Sequence, residues 1–430
     1  MRIITIDHLL DAMNQEVSTF KTKPILFSSL SLLVLLSCSY HLLNKFGFDL
    51  SVLIGLAALV FLLSLAKEIK IFLIGSLKNP RKNFLILCIL FFSFLSIFFY
   101  FENIVEIGFF VILFFSIYLV FKNQDKDLNN FLTNLMIYSG IFMSIGVLIG
   151  FLESLFLSSK FFYHSYDYYP YVGKKLVYSG FGFNHNFSAY IIVVAQSFLF
   201  LSRSIFIINL RLYLTTLFLL SLIITTSKIA LLFIFLIICN HLVKKRKIKN
   251  LIIITSIAAY LFLSHIVISF NESHELGTVH YRELLFSIGR IDVILGYLGH
   301  LKEIYFIELL NNFFLPVNLK DVSQALGYDP HCLIYSLVIL GGFPLALSVL
   351  IFIVKGVFKN FKNIEERYPI YYLCGLICIF TEMINWDANS SIFFWVIILY
   401  AITISKDSDP PSEAIIDNKS GFQRVSQKNS

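Results

Sequence analysis

The residues best suited to chemistry are cations and a histidine that lie just outside long apolar runs. They are Arg282, Arg290 and His331 in the polar stretch 271–331, and Lys228 between two apolar runs further upstream. An arginine donates paired hydrogen bonds to phosphate oxygens and never deprotonates, whereas a neutral imidazole can take a proton from a hydroxyl. These residue types therefore suit a site that holds a phosphate group and activates a hydroxyl nucleophile.

A second candidate is the turn that runs from Gly180 through Gly182 to Asn184, His185 and Asn186. Glycines permit close backbone approach, and the amide side chains suit sugar hydroxyls or phosphate oxygens as partners. We predict no strand before this turn, which argues against a nucleotide-binding glycine loop. An ordinary helix cap is the alternative interpretation.

Each candidate also has a simpler interpretation. Arg290 is typical of an anchor to lipid head groups, His331 of an ordinary interfacial histidine, and Lys228 of a cation that snorkels to the membrane surface. Glu153 and Glu382 are candidate charge partners or residues at the water boundary. The aromatic loop at 161–178 suits either an interfacial belt or a platform that stacks on sugar rings. We expect all these candidates on the same side of the membrane, and this convergence favours a functional site.

Composition places the chain in a membrane. Hydrophobic residues make up 57% of it and charged residues only 14%. A soluble domain of 430 residues has too little interior to hide that much apolar surface. The formal net charge of +7 is explained by loop cations, so no nucleic-acid partner is expected. The cysteine spacing predicts neither a disulfide framework nor a zinc site.

The apolar runs predict an all-α, polytopic integral membrane protein with about twelve transmembrane helices and a large, partly helical loop on the outer side. The predicted cores are 24–43, 50–66, 84–101, 107–121, 131–157, 187–202, 212–227, 229–243, 251–270, 332–354, 370–383 and 392–405. The chain thus divides into an N-terminal segment 1–23, a membrane domain 24–405 and a polar tail 406–430 predicted to be disordered. The stretch 271–331 lies between the ninth and tenth predicted spans.

Loop charge orients these spans. One alternating set of loops is rich in cations, including Lys67, Lys70, Arg211, Lys355 and Lys359, whereas the short loops of the opposite set are nearly free of them. Cationic loops stay cytoplasmic, so both termini are expected inside. The stretch 271–331, the loop 158–180 and Lys228 are then all expected on the outer side.

Four short strings in a fixed order carry a family resemblance. They are Gly182-Phe183-Asn184-His185-Asn186, Thr225-Thr226-Ser227-Lys228, Gly289-Arg290 and His331 followed by Gly341-Gly342. In order, spacing and topology they resemble the O-antigen ligases and the related O-antigen or capsular polysaccharide polymerases, over roughly 180–386. Lys228 stands where these ligases usually have arginine. A lysine provides a point charge in place of the bidentate hydrogen bonds of an arginine.

The resemblance implies an inverting, metal-independent glycosyltransferase of the bacterial inner membrane with a periplasmic active site and no cofactor. Its donor would be an oligosaccharide or polysaccharide linked through diphosphate to undecaprenol, and its acceptor a lipid A-core or a growing glycan. Arg290 and Lys228, with Arg282, would hold the diphosphate. His331 would activate or orient the acceptor hydroxyl, and Asn184, His185 and Asn186 would contact sugar or phosphate.

Three alternatives remain open at this stage. The motifs do not separate a ligase from a polymerase. A flippase for lipid-linked sugars, or another multi-span transporter, would place charged residues deep within several spans, whereas the charges here gather near one face. A non-catalytic scaffold would tolerate replacement of Arg290 and His331.

Overall fold

The part of the chain that the structure describes is almost entirely helical. The structure is a computed structural model, and it describes residues 24–48, 50–81, 83–101, 104–122, 126–156, 163–169, 173–182, 185–202, 205–243, 248, 251–252, 255, 333–361 and 390–403. The predicted N-terminal segment and tail, the stretch 271–331 and the apolar run 370–383 lie outside these residues, as does nearly all of the run 251–270. Every other predicted apolar run contains a helix.

The elements follow one another in a simple order. The first helices are α1 (Pro24–Cys38), α2 (Tyr40–Lys45), α3 (Leu50–Lys78), α4 (Phe84–Phe99), α5 (Ile104–Lys122) and α6 (Lys126–Phe156). A hairpin of β1 (Tyr163–Tyr169) and β2 (Gly173–Gly180) comes next. The remaining helices are α7 (His185–Leu201), α8 (Ile205–Thr225), α9 (Lys228–Leu242), α10 (Leu333–Phe361) and α11 (Ser390–Thr403).

Three of these helices are long and apolar enough to cross a membrane. The qualifying segments are Val52–Lys78 in α3, Asn130–Phe156 in α6 and Ser336–Val357 in α10. A hydrocarbon core about 30 Å thick needs about twenty helical residues, and each segment exceeds that length. Their lipid-ready surfaces include Leu63 of α3, which is 67% exposed, and Phe156 at the end of α6, which is 78% exposed. The chain is a helical membrane protein.

Several cations that the charge pattern assigns to loops lie within helices instead, so that part of the prediction was wrong. Lys67 and Lys70 are inside α3, because lysine and glutamate favour helix and no glycine or proline falls between residues 67 and 74. Arg211 is inside α8, where its guanidinium donates to the Ser202 carbonyl at 3.1 Å. Lys355 and Lys359 likewise lie inside α10.

Packing centres on α7, whose residues from Phe187 to Leu199 are buried on all sides. It contacts α6, α8, α9 and β2. Beside this group, α10 packs on α4 and α11, and α11 on α5. Aromatic side chains hold the second group together, with Phe114 of α5 at 5.5 Å from Phe352 and 5.2 Å from Trp395 between ring centroids. Phe198 and Tyr400, at 5.3 Å, join the two groups.

The hairpin corrects the all-α prediction. The strands pair antiparallel from Tyr169 opposite Gly173 to Tyr163 opposite Gly180, with an irregularity at Tyr163 and His164. Aromatic and β-branched residues favour strands, and the tyrosine-rich run before Pro170 fits that preference. The sequence interpretation treated these tyrosines as a loop because it weighed the aromatic residues as interfacial contacts and overlooked their strand propensity.

Candidate functional site

The structure describes some of the predicted site residues and not others. His185 and Asn186 are the first residues of α7, Lys228 is the first residue of α9, and Glu153 lies near the end of α6, with 6% of its surface exposed. The predicted site residues outside the described part are Asn184, Arg282, Arg290 and His331, together with the candidate partner Glu382.

The first residues of α7 and α9 lie at the same end of the bundle. In α8, Thr215 accepts a hydrogen bond from Gln196 of α7 at 3.1 Å, and Ser221 donates one to the Ser144 carbonyl of α6 at 3.3 Å. Earlier in α8, Arg211 donates to the Ser202 carbonyl at the end of α7, and the Phe218 ring lies next to Gly140 of α6. Later residues of α8 thus contact earlier residues of α7 and later residues of α6, so α8 runs in the same direction as α6 and opposite to α7. The end of α8, and with it Lys228, therefore lies beside the start of α7, toward the C-terminal end of α6.

Gly180 joins the hairpin to this end of the bundle. Its φ is +59°, and a Cβ placed on it would lie 2.5 Å from both the Gly146 carbonyl carbon and the Val147 nitrogen of α6. Only glycine allows both the left-handed conformation and this contact without strain. The chain can therefore pass directly over the α6 backbone before it enters α7.

Hydrogen bonds to the Ser179 carbonyl hold the turn that follows. The Ser188 hydroxyl donates to this oxygen at 2.6 Å, and the Gly182 amide donates to it at 3.1 Å. One buried acceptor therefore ties the end of β2 to the turn and to the first turn of α7. The described backbone is therefore anchored on each side of residues 183–184.

A strand does precede this turn, so the reason given above for excluding a nucleotide-binding loop was wrong. The strand is β2, which pairs antiparallel with β1 in a two-stranded hairpin. A dinucleotide-binding loop instead joins a strand to a helix within a parallel βαβ unit. Among the described residues no such unit occurs, and the antiparallel pairing is the sounder argument against that kind of site.

Tyr178 serves as a packing anchor for the hairpin. Its ring lies 5.5 Å from that of Phe151 in an edge arrangement, and its hydroxyl is 2.7 Å from the Ser154 hydroxyl of α6. Phe181 packs against Phe142 of the same helix, with ring centroids 4.5 Å apart. Tyr178 is 8% exposed, so it is available neither to lipid nor to a sugar ring. The prediction of a belt or a sugar platform was wrong for this residue.

The turn between α8 and α9 holds a strained residue. Thr226 has a φ of +58°, and in the described part of the chain it is the one non-glycine residue with positive φ. A β-branched side chain is disfavoured there, at a cost of about 1–3 kcal/mol, and such residues tend to occur at functional sites. The strain turns the chain sharply from α8 into α9 and sets the position of Lys228.

Ser227 occupies the N-cap position of α9 without capping it. Its hydroxyl makes no cap hydrogen bond, and within the described residues this buried oxygen has no hydrogen-bond partner. Its carbonyl accepts the first helical bond, from the Leu231 amide at 3.0 Å. The first amides of any helix lack intrahelical acceptors, and the positive end of the helix dipole attracts anions. The start of α9 therefore has backbone amides of the kind that commonly bind a phosphate oxygen, with the Ser227 hydroxyl next to them in the chain.

Sequence reasoning named Thr226 and Ser227 in the string that ends at Lys228 but gave a role only to Lys228. The signal that could have revealed them is a serine directly before an apolar helix, the usual N-cap pattern. No group of three or more metal-ligating side chains occurs among the described residues. No family model, no curated protein and no solved structure matches this chain.

Proposed function

We propose that this chain is a membrane glycosyltransferase that moves a glycan from undecaprenyl diphosphate to an acceptor hydroxyl on the periplasmic face. The observation that carries the proposal is the start of α9, where Ser227 and Lys228 begin a helix beside the start of α7. A helix N-terminus, a buried hydroxyl and a cation are the groups that a diphosphate needs. The proposal that the substrate carries a glycan and a polyprenyl lipid rests on the motif resemblance.

In the proposed reaction the acceptor oxygen attacks the anomeric carbon of the donor sugar. The bond from that carbon to the diphosphate oxygen breaks, and undecaprenyl diphosphate leaves with both electrons of the bond. His331 takes the proton of the acceptor hydroxyl, or orients that hydroxyl if the proton passes to water. Attack from the face opposite the leaving group inverts the anomeric configuration.

The cations stabilise the leaving group. Lys228, Arg290 and Arg282 would neutralise the charge that grows on the diphosphate as the bond to the sugar breaks, and electrostatic stabilisation of this kind often contributes more to catalysis than any other effect. Asn184, His185 and Asn186 would contact the sugar or the phosphates. The anchored turn before α7 supports this role, because a fixed backbone positions amide groups without further ordering cost.

The proposed topology has twelve crossings of the bacterial inner membrane, with both termini in the cytoplasm. Helix directions support it. The start of α1 meets the start of α6 through Phe27 and Phe131, stacked at 4.4 Å, as expected if both helices begin on the same side. Likewise Gly356 of α10 lies against Ile402 near the end of α11, so these ends share a side.

A lipid-linked sugar flippase is the second candidate, and one observation favours it. Helix α10 is interrupted at Gly342, and transporters commonly place broken helices at their substrate sites. Full-length chain in proteoliposomes separates the two functions, because a flippase moves the intact donor across the bilayer whereas a transferase cleaves it. Movement without cleavage would sink the transferase proposal.

Replacement of His331 or Arg290 by alanine tests the enzyme proposal in cells. Surface polysaccharide should be lost at normal protein levels, and full-length polysaccharide in both variants would contradict the proposal. A deletion strain then separates the two transferases by the gel pattern of its lipopolysaccharide. Decoration with a single repeat indicates a lost polymerase, whereas a bare core with accumulated lipid-linked polymer indicates a lost ligase.

A further inference from the structure

Helix α10 is broken within its apolar span. Gly342 has φ +70° and ψ 174°, which is not helical, and Pro344 follows two residues later. Proline has no amide hydrogen, so the carbonyl of Leu340, four residues before Pro344, has no intrahelical donor. Gly341 and Gly342 are both buried. An unpaired buried acceptor at this depth is costly, so the break needs a hydrogen-bond donor from elsewhere.

Ser96 of α4 is that donor. Its hydroxyl donates a hydrogen bond to the Leu340 carbonyl across the interface between the two helices. Among the described residues, helical serines more often donate to their own helix, as Ser37 does to Leu33 and Ser139 to Leu135, both at 2.9 Å. Ser96 therefore takes the place of the amide that Pro344 removes.

The chain offers a matched control for this contact. Ser93 lies one turn before Ser96 on the same buried face of α4 and is 2% exposed. Its hydroxyl has no hydrogen-bond partner within the described residues. The two serines thus share residue type, helix face and burial. They differ in that only the Ser96 hydroxyl donates a hydrogen bond to the Leu340 carbonyl of α10.

The break divides α10 into an outer segment, 333–340, and an inner segment, 343–361. The inner segment is fixed by Phe352, whose ring lies 5.5 Å from Phe114 and 5.3 Å from Tyr118, and by Gly356 against Ile402. The outer segment has no continuous helical bonding to it at the break. Its end at Leu340 is held by Ser96, so that bond fixes the segment at the break.

We infer that Ser96 is a positioning residue that sets the direction of the outer segment of α10 and, through it, the placement of His331. Leu333, the first described residue of the segment, follows His331 by two residues in the sequence. The inference rests on the proposed function for the role of His331. The anchoring of the outer segment by Ser96 stands on the contacts alone.

Hydrogen exchange of the full-length chain in nanodiscs tests the anchor without any activity. Ser96→Ala should speed exchange of the amides in 333–340 about tenfold, because the segment opens more often once Leu340 loses its donor. Ser96→Thr retains the hydroxyl and should restore wild-type exchange, whereas Ser93→Ala should leave it unchanged. Equal exchange in Ser96→Ala and Ser93→Ala would overturn the anchor.

Glycan transfer by the same variants tests the positioning role. Ser96→Ala should lower kcat about tenfold with little change in the donor KM, because the acceptor-activating group is displaced while the diphosphate site is intact. Ser96→Thr should recover kcat. Accelerated exchange with unchanged kcat would overturn the positioning role.

A variant with a continuous α10 distinguishes an effect of the direction of 333–340 from an effect of its stability. The double variant Gly342→Ala with Pro344→Ala allows continuous helical bonding, so 333–340 should exchange more slowly than in the wild type while kcat falls. Slower exchange with full kcat would also overturn the positioning role. Full activity of His331→Ala would instead refute the proposed function, and the exchange result for Ser96 would then still decide the anchor.

Discussion

Gly180 lies directly against the backbone of Gly146, so that the end of β2 crosses α6 at a point where neither residue carries a side chain. A Cβ on Gly180 would fall 2.5 Å from the Gly146 carbonyl carbon. Backbone atoms cannot yield as a flexible side chain can. This contact fixes the height at which the chain leaves the hairpin and enters the turn before α7, and it therefore helps to position that side of the candidate site.

Gly180→Ala should destabilise the protein by about 1–3 kcal/mol through overpacking and should lower its melting temperature in detergent. Gly47→Ala is the matched control, because Gly47 also has positive φ, at +75°, but a Cβ there would meet nothing within 4 Å. Its loss should be limited to the conformational cost of about 1 kcal/mol. Equal losses in the two variants would show that the contact with Gly146 is unimportant.

Ser227→Ala should leave the stability of the protein nearly unchanged, although loss of a serine N-cap ordinarily costs about 1 kcal/mol. The reason is that this hydroxyl makes no cap hydrogen bond. The donor KM should rise about tenfold, because one hydrogen bond to a charged phosphate oxygen is lost. Thermal unfolding and donor titration measure the two effects.

Ser116→Ala provides the control for that variant. Ser116 is 1% exposed, and its hydroxyl also has no partner among the described residues, but it lies in α5 away from the start of α9. Neither stability nor donor KM should change by much. Two results would contradict the role given to Ser227. One is a wild-type donor KM in Ser227→Ala, and the other is a loss of stability of about 1 kcal/mol, as expected for loss of a serine N-cap.

Tyr178→Phe should cost about 1 kcal/mol by removing the hydrogen bond with Ser154, while the aromatic contact with Phe151 remains. Ser154→Ala should cost a similar amount. A double-mutant cycle on thermal unfolding should give a coupling energy of about 1 kcal/mol, since the two changes remove one shared bond. Fully additive losses would mean that the hydroxyls do not depend on one another.

The helices were largely predictable because long apolar runs leave the backbone few other solutions in lipid. The ends of the helices were not predictable in the same way. A lysine such as Lys67 marks the point where the chain becomes polar, but the helix continues through it. The sequence contained Gly341, Gly342 and Pro344, but the break they produce depends on a donor from Ser96, which is far away in the chain. Such tertiary contacts cannot be read from local pattern.

In the candidate site, too, some residues could be recognised from the local sequence and others only from tertiary contacts. Lys228 stood out because a cation between apolar runs is costly. Ser227 did not, because its distinguishing property is a hydroxyl without a hydrogen-bond partner in the described part of the chain, which only the packed structure reveals. Gly180 was recognised as a residue that permits close backbone approach, whereas its particular contact with Gly146 depends on the hairpin that the sequence interpretation missed.

The most direct test of the central claim is glycan transfer by the purified full-length chain in liposomes. The assay supplies an undecaprenyl-diphosphate-linked glycan and an acceptor glycan in the presence of EDTA. We expect one undecaprenyl diphosphate to be released for each glycosidic bond formed, with inverted anomeric configuration. Lys228→Ala should reduce the rate at least about a hundredfold, and Lys228→Arg should retain it. Donor that remains uncleaved, or an unchanged rate in Lys228→Ala, would contradict the account.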